Sequence, residues 1–411
     1  VRVLFAISSW TGHYFPMVPL AWAMRAAGHD VRVLCRPSDQ ADVTAAGLIP
    51  VPALDGLDLL RGARLLNVMS LLQGTWPYPE PPPHPDTGEA MDPAGFDIAA
   101  WHAENMPAMV ASSRAGTDAA VAFGRSWAPD LVVHDQLSLE GPLVSAVTGA
   151  PSVLHLWGPA GTADAFAPVG GEQAGLPQDL SDAFTRYGAG TLSHDLADHV
   201  LDPCPPPLRT AVAGRDAGIR YVPYNGPGAA PLDLPEPDGR RPRVCVIWGR
   251  SVTRTFGPVV NRLPQAVRAA ADLGAEVLLL ARPEDARDAG PLPDGVRPFH
   301  EVPLSLVLPG CEAVVHYAGA GSVMTALTAG VPQLSVPCGF DQPMVAERLS
   351  ATGAGLHVHN LDADAATLGG ALEKLIGQPS YADAARDLAR RCAAMPSPAE
   401  VVADLEALAA R

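Results

Sequence analysis

The sequence predicts an α/β protein made of two doubly wound domains, each a parallel sheet with helices on both faces. Three observations point there. Short apolar runs alternate with longer helix-compatible stretches, first from Arg2 and again from Val244, which is the pattern of successive βαβ units. Between the two series lies Asn225–Arg243, rich in Pro, Gly and Asp, a composition that breaks regular structure and suits an interdomain connection. The chain has 411 residues, too many for one ordinary core, and its 48% of hydrophobic residues is enough to build two.

In the first series, the apolar run Arg2–Ile7 predicts a strand. The Ala-, Leu- and Met-rich stretch after it predicts a helix, with Pro16 and Pro19 near its entry, where proline is tolerated. Past Gly28, Val31–Cys35 predicts the second strand. A long helix-compatible segment from about Trp101 to Trp127, a strand Leu131–His134, a helix near Leu139–Thr148 and a strand Ser152–Leu156 continue the winding. Trp76–Pro93 is so dense in proline that it excludes regular helix and central strand, and it reads as a mobile loop.

The second series opens with a strand at Val244–Ile247 and continues with a helix at Val259–Leu273 and strands at Glu276–Leu280 and Val296–Phe299. A helix at Leu304–Leu308 and a strand at Ala313–Val315 follow. Pro379–Arg391 and Pro398–Ala410 read as closing helices. The domains expected are residues 1–218 and 244–395, with a linker at 219–243 and a C-terminal helix within 396–411.

Lys and Arg number 28 against 44 Asp and Glu, a formal net charge of −16 that disfavours nucleic acid or an anionic membrane as partner. Any phosphate must then be held by local dipoles. The six cysteines, Cys35, Cys204, Cys245, Cys311, Cys338 and Cys392, show no paired spacing, so reduced thiols and no metal cluster are expected. With no apolar stretch of about 18 residues and an N-terminus that enters a strand at once, neither a membrane span nor a signal peptide is expected. The expectation is a cytoplasmic protein.

The most informative segment is His316-Tyr317-Ala318-Gly319-Ala320-Gly321-Ser322, which follows the run Ala313–Val315 and leads into a helical pattern ending near Gly330. A helix is expected to start at or just after Ser322. Its free N–H groups and partial positive charge suit a diphosphate, and Gly319 and Gly321 let the backbone come close. His316 and Ser322 offer side-chain donors to phosphate oxygens. About twenty residues on, Asp341 and Gln342 combine acceptor and donor groups suited to reading sugar hydroxyls. A bland β-turn-helix unit accounts for the seven residues equally well, and a helix cap with a surface amide accounts for the pair.

Taken as one string, HYAGAGSVMTALTAGVPQLSVPCGFDQ resembles the donor-binding signature of GT-B glycosyltransferases of the antibiotic-tailoring type, usually His-His-Gly-Gly-Ala-Gly-Thr with a closing Asp-Gln. Gly12-His13, Pro16-Met17-Val18-Pro19-Leu20-Ala21 and Gly28-His29-Asp30-Val31 match the family's opening helix. Leu201–Pro206 and Arg220–Gly228 are similar to actinobacterial enzymes that attach deoxysugars to polyketides and macrolides. Two positions depart from the signature: Tyr317 replaces its second His and Ala318 its first Gly.

The resemblance implies a GT-B fold, two Rossmann-like domains facing each other across a cleft. It implies inverting, metal-independent transfer of a deoxysugar from a thymidine diphosphate donor to a polyketide-type product in antibiotic biosynthesis. No cofactor beyond that co-substrate is implied. His13, at the carboxyl edge of the first sheet, takes the place of the family's catalytic His, a role an imidazole suits at neutral pH. Asp135 ends a neighbouring strand. It can orient the imidazole, act as base itself, or simply cap a helix. Trp248-Gly249-Arg250-Ser251 resembles a short phosphate loop, with Gly249 and Ser251 as contacts and Arg250 departing from the expected small residue. Val302 and Pro303 match the segment that reads the pyrimidine base through its backbone, thymine or uracil alike. Trp10, Phe15, Trp76, Tyr78, Trp101 and Trp157 are candidates to line an apolar acceptor pocket, or plain core. A homodimer and a requirement for a helper protein stay open by the same resemblance.

The main rival is a catalytically silent relative that binds and activates a partner glycosyltransferase, which the altered pair Tyr317 and Ala318 keeps in play. An epimerase of the same architecture has no use for an aromatic, Pro-rich first domain. A nicotinamide enzyme is disfavoured because Ser8–His13 lacks the G-x-G-x-x-G turn expected after an early strand.

Overall fold

The computed structural model describes residues 1–56, 58–162, 164, 178–212, 214–237, 239–249 and 251–411. Its first sheet contains β1 (Arg2–Ala6), β2 (Asp30–Leu34), β3 (Pro50–Val51), β4 (Leu131–His134), β5 (Ser152–His155), β6 (His199–Asp202) and β7 (Arg215–Gly218). Among the described residues these lie in the order β3-β2-β1-β4-β5-β6-β7, all parallel. The second sheet contains β8 (Arg243–Ile247), β9 (Glu276–Leu280), β10 (Val296–Phe299), β11 (Ala313–His316), β12 (Gln333–Ser335) and β13 (Gly355–His357), ordered β10-β9-β8-β11-β12-β13 and again parallel.

The central strands are apolar at nearly every position because both faces are covered. Val3 and Phe5 of β1 enter one core with Val18 and Leu20, while Leu4 and Ala6 enter another with Ala120 and Val144. Such strands expose only their ends. The order reverses between β1 and β4 and between β8 and β11, and at each reversal the flanking loops diverge to leave a crevice at the carboxyl ends. His13 follows β1, Asp135 follows β4, Gly249 follows β8, and Tyr317 follows β11.

Most expected elements fall within a residue or two of those observed. The helix after the Gly-rich turn differs: it runs Ala320–Ala329, with Gly319 as its N-cap. Ser322 therefore lies inside the first turn, not at its threshold. Ala318 absorbs the sharp turn with φ of 66°, a conformation that a small side chain tolerates better than Tyr317 would. The segment expected as one helix at Val259–Leu273 divides into a 3-10 turn at Pro258–Val260 and a helix at Leu263–Asp272, with Asn261 extended between them. The helices Leu59–Leu72 and Ala365–Gly377 have no counterpart among the expected elements, and Gln342–Ala351 is the helix that the bland reading of Asp341 and Gln342 supposes.

The Pro-dense stretch forms neither helix nor strand, but it is not the free loop expected. Tyr78 Oη donates to Cys338 O at 2.8 Å and Trp76 stacks on Phe256, so aromatic burial pins it to the second domain. Asn67 donates to Thr255 O at 2.9 Å beside it, and Arg348 binds both oxygens of Asp164 at 2.7 Å elsewhere across the cleft. The last helix, Pro398–Ala409, opens with a capping box between Ser397 and Glu400 and buries Val401, Val402, Leu405 and Leu408 in the first domain's core. Among the described residues no helix is long and apolar enough to cross a membrane.

Leu405→Ala empties a buried position where the two ends of the chain meet. A loss of about 2–4 kcal/mol is expected by urea unfolding.

Candidate active-site cleft

On the first domain's side, His13 lies in the short helix Thr11–Tyr14 right after β1. Its Nδ1 is 3.2 Å from Ser8 Oγ. Asp135 is wholly buried, and its carboxylate accepts from Ser8 N at 2.6 Å and Leu137 N at 2.9 Å. Ser8 therefore stands between the two, its N–H on the carboxylate and its hydroxyl at the imidazole, and Asp135 and His13 do not form a direct pair. Burial pushes His13 down to about 3 and Asp135 up to about 6, the latter against the pull of its N–H donors. His134 and His155 bond to backbone carbonyls inside the sheet edge.

On the second domain's side, the helix start at Gly319 has no side-chain cap, and the first helical bond formed across it runs from Val323 N to Gly319 O. The N–H groups of Ala320, Gly321 and Ser322 precede that bond, which leaves the positive end of the dipole facing the cleft. Asn225 and Tyr221 hold this turn from behind, through Thr325 at 3.2 Å and Gly321 O at 3.4 Å. The side chain expected to reach phosphate does not. His316 is fully buried, its Nδ1 accepts from Ala318 N at 3.0 Å, and its Nε2 bonds Gln333 Oε1 at 2.8 Å. With both ring nitrogens engaged, His316 shapes the turn. Tyr317 holds the half-buried place instead, its ring filling a slot between Gly249 and Gly319. A Cβ on Gly249 would collide with the phenol oxygen, and one on Gly319 would stand 2.8 Å from the ring. Arg250 lies outside the described residues.

Asp341 stands at the N-cap position of the helix Gln342–Ala351 without a side-chain cap bond, and Gln342 Oε1 accepts from Cys338 N at 2.9 Å, which fixes that turn and leaves its NH2 group to other partners. Burial pushes the Asp341 carboxyl up to about 6. Trp157 belongs to the first domain. Its ring lies on the His13 imidazole, with centroids 3.9 Å apart and planes 15° from parallel, and it packs against Ala320. The two sides of the cleft are thus separated by the width of one indole.

The other aromatic candidates divide. Trp10 stands 6.2 Å from His13 and belongs to the cleft. Phe15 does not: it meets Tyr224 edge-on and touches Gly226, sealing the linker against the first core. Trp76 and Tyr78 join the domains as described, so neither faces an acceptor space. Trp101 donates to Asp86 at 2.7 Å under the Arg61 guanidinium, within a polar hollow. Val302 and Pro303 open the helix Leu304–Val307, beside Ala229 N bonded to Glu301 O at 3.0 Å. Ser8 was missed, because a serine after a strand carries no signal until its partners are placed.

The sequence pattern of the erythromycin biosynthesis protein CIII-like C-terminal domain matches residues 264–408, and that of the N-terminal domain matches residues 22–68 and 101–249. This chain belongs to that family. Across its whole length the CIII-like chain is 32% identical to the tylactone mycaminosyltransferase of Streptomyces fradiae, 93% of which is covered. Two solved structures of the spinosyn rhamnosyltransferase SpnG, one complexed with thymidine diphosphate and one with spinosyn aglycone, align with a TM-score of 0.75 at 30% identity. They cover 99% of this chain and 100% of theirs. The CIII-like chain is therefore of the antibiotic-tailoring glycosyltransferase type, and its two facing sheets are the GT-B fold.

Gly249→Ala should destabilise the protein by about 1–3 kcal/mol through overpacking against Tyr317. The loss should largely vanish in the double variant Gly249→Ala with Tyr317→Ala, measured as a double-mutant cycle in urea.

Proposed function

We propose that the chain transfers a deoxysugar from a thymidine diphosphate donor to a hydroxyl of a polyketide-type natural product, with inversion at the anomeric carbon and without a metal or other cofactor. One arrangement carries this reading: an imidazole tied by its Nδ1 to a buried serine–carboxylate pair, one indole's width from an uncapped helix start. With Nδ1–H donating to the Ser8 hydroxyl and the Ser8 N–H donating to Asp135, Nε2 keeps its lone pair for the acceptor hydroxyl. The acceptor oxygen attacks the anomeric carbon as its proton passes to Nε2, and the bond to the diphosphate breaks on the opposite face. The imidazolium that forms gains from the Asp135 charge relayed through Ser8. This offsets the low basicity that burial gives the ring.

The departing diphosphate meets the N–H groups of residues 320–322, the Ser322 hydroxyl and the helix dipole. Gly249, Gly319 and Gly321 give the backbone access there, and Ser251 with Tyr317 supplies hydroxyl donors. Asp341 and the free amide of Gln342 read sugar hydroxyls, while the backbone at Val302 and Pro303 reads the base. Trp10 and Trp157 give an apolar acceptor its nearest walls. The relatives support the substrates: one is named for a tylactone acceptor, and SpnG was solved with thymidine diphosphate and with an aglycone.

Calorimetric titration with thymidine diphosphate should show specific binding, and incubation with thymidine diphosphate sugars and polyketide aglycones should give a product of added sugar mass. His13→Ala should lower turnover at least about a hundredfold, the usual share of a general base. Retained turnover would move the base to Asp135. On the acid side, kcat/KM should fall as pH drops through about 6, because Asp135 and Asp341 protonate there. His13, pushed to about 3, is not the source of that limb, so Asp135→Asn should make it shallower.

A further inference from the structure

The helix Leu59–Leu72 and the Pro-dense arm after it are elements of the first domain, yet both bond to the second. Arg64 Nε donates to Arg254 O at 2.7 Å and Asn67 Nδ2 to Thr255 O at 2.9 Å, at the end of the short helix Val252–Phe256. From the arm, Tyr78 Oη donates to Cys338 O at 2.8 Å. The Trp76 ring stacks on Phe256, which in turn lies over the Gly339 backbone, where a Cβ would stand 2.8 Å from its ring. The Phe340 ring is 5.2 Å away on the same side chain. Both arm contacts therefore converge on Cys338-Gly339-Phe340, the three residues that deliver Asp341 and Gln342.

That turn needs holding. Phe340 lies in the left-handed region with φ of 55°, a conformation that a bulky side chain keeps only where its surroundings impose it. The helix beginning at Gln342 has no side-chain cap bond at Asp341 to fix its entry. A phenylalanine at position 78 would fill the apolar space beside Val252, Phe256 and Val260 as well as tyrosine does. The hydroxyl adds direction, because a bond to a buried carbonyl sets the orientation of the peptide that carries it.

Resting on the reading of Asp341 and Gln342 as sugar contacts, we propose that Tyr78 and Trp76 are positioning residues for the donor sugar, through which the first domain sets the sugar-reading turn of the second. Tyr78 holds the Cys338 carbonyl, and the Cys338 N–H holds the Gln342 side-chain oxygen. The Gln342 NH2 group is thus aimed by a chain of two bonds that starts in the other domain. The Trp76–Phe256 stack bears on Gly339 and Phe340, and so fixes where Asp341 leaves the turn. Recognition of the donor is thereby divided. The diphosphate and the base are assigned to the helix start at residues 320–322 and to the backbone at Val302 and Pro303, which the arm aromatics do not hold. The sugar is read by groups that come into register only with the arm docked, so selecting the sugar and bringing the domains together are one event.

The test is calorimetric titration of the full-length protein with thymidine diphosphate and with thymidine diphosphate glucose. Tyr78→Phe keeps the ring and deletes the hydroxyl: affinity for the sugar nucleotide should fall about fivefold, the worth of one ordinary hydrogen bond, while affinity for thymidine diphosphate stays within about twofold. Trp76→Leu should show the same split, and Trp76→Phe, which restores a ring over Phe256, should recover most of the loss. A double-mutant cycle with Asp341→Ala locates the effect: in that background Tyr78→Phe should weaken the sugar nucleotide no further, because the two residues act through one turn. Equal weakening of both ligands by Tyr78→Phe, no weakening of either, or losses that simply add in the cycle overturn the positioning role alone. Absence of thymidine diphosphate binding to the native protein, or an affinity for the sugar nucleotide that Asp341→Ala leaves unaltered, overturns the donor assignment and the positioning role with it.

Discussion

A parallel strand packed on both faces has only its ends to offer to solvent, and this constraint organises the molecule. Val3, Leu4, Phe5 and Ala6 are all buried, as are Val244, Cys245 and Val246 in the second sheet, so no chemistry can be placed along the strands themselves. It gathers where the strand order reverses. The loops after β1 and β4 diverge around one crevice and those after β8 and β11 around another, and the tail helix Pro398–Ala409 ties the chain's end back to the first domain. The cleft follows from bringing those two crevices face to face.

Within the cleft, charge is handled locally. The protein is strongly acidic overall, yet the helix start at Ala320 presents uncapped N–H groups, and the carboxylates nearest the cleft, the buried Asp135 and the half-buried Asp341, are both pushed up to about 6 by desolvation. Asp135 has directed hydrogen-bond donors in the backbone N–H groups of Ser8 and Leu137. Burial alone would favour their neutral forms, and at Asp135 the donors oppose it. This balance lets a small change in the cleft, such as an arriving hydroxyl, alter the state of either group.

The departures from the family signature are structural solutions as well as substitutions. Where the signature has glycine, Ala318 takes a left-handed turn, and His316 stabilises it by accepting from the Ala318 N–H. Tyr317, in place of a histidine, needs more room, and the space over Gly249 and Gly319 supplies it. Glycine at these two positions therefore serves a ring of this chain as well as a close backbone approach.

By itself the sequence determined the winding of both domains, the Gly-rich turn, and the pairing of Gly12-His13 with Asp341-Gln342 as marks of one family. These features are local: a strand period, a turn composition and a motif are each written in consecutive residues. Tertiary structure alone decided that Ser8 stands between His13 and Asp135, that His316 faces inward while Tyr317 faces the cleft, that Phe15, Trp76 and Tyr78 seal interfaces, and that Trp157 touches both domains. Each is a matter of which way a side chain points once distant segments meet. Aromatic residues in particular bury equally well against a core, a linker or a ligand, so composition cannot say which, and only the position of their neighbours in space does.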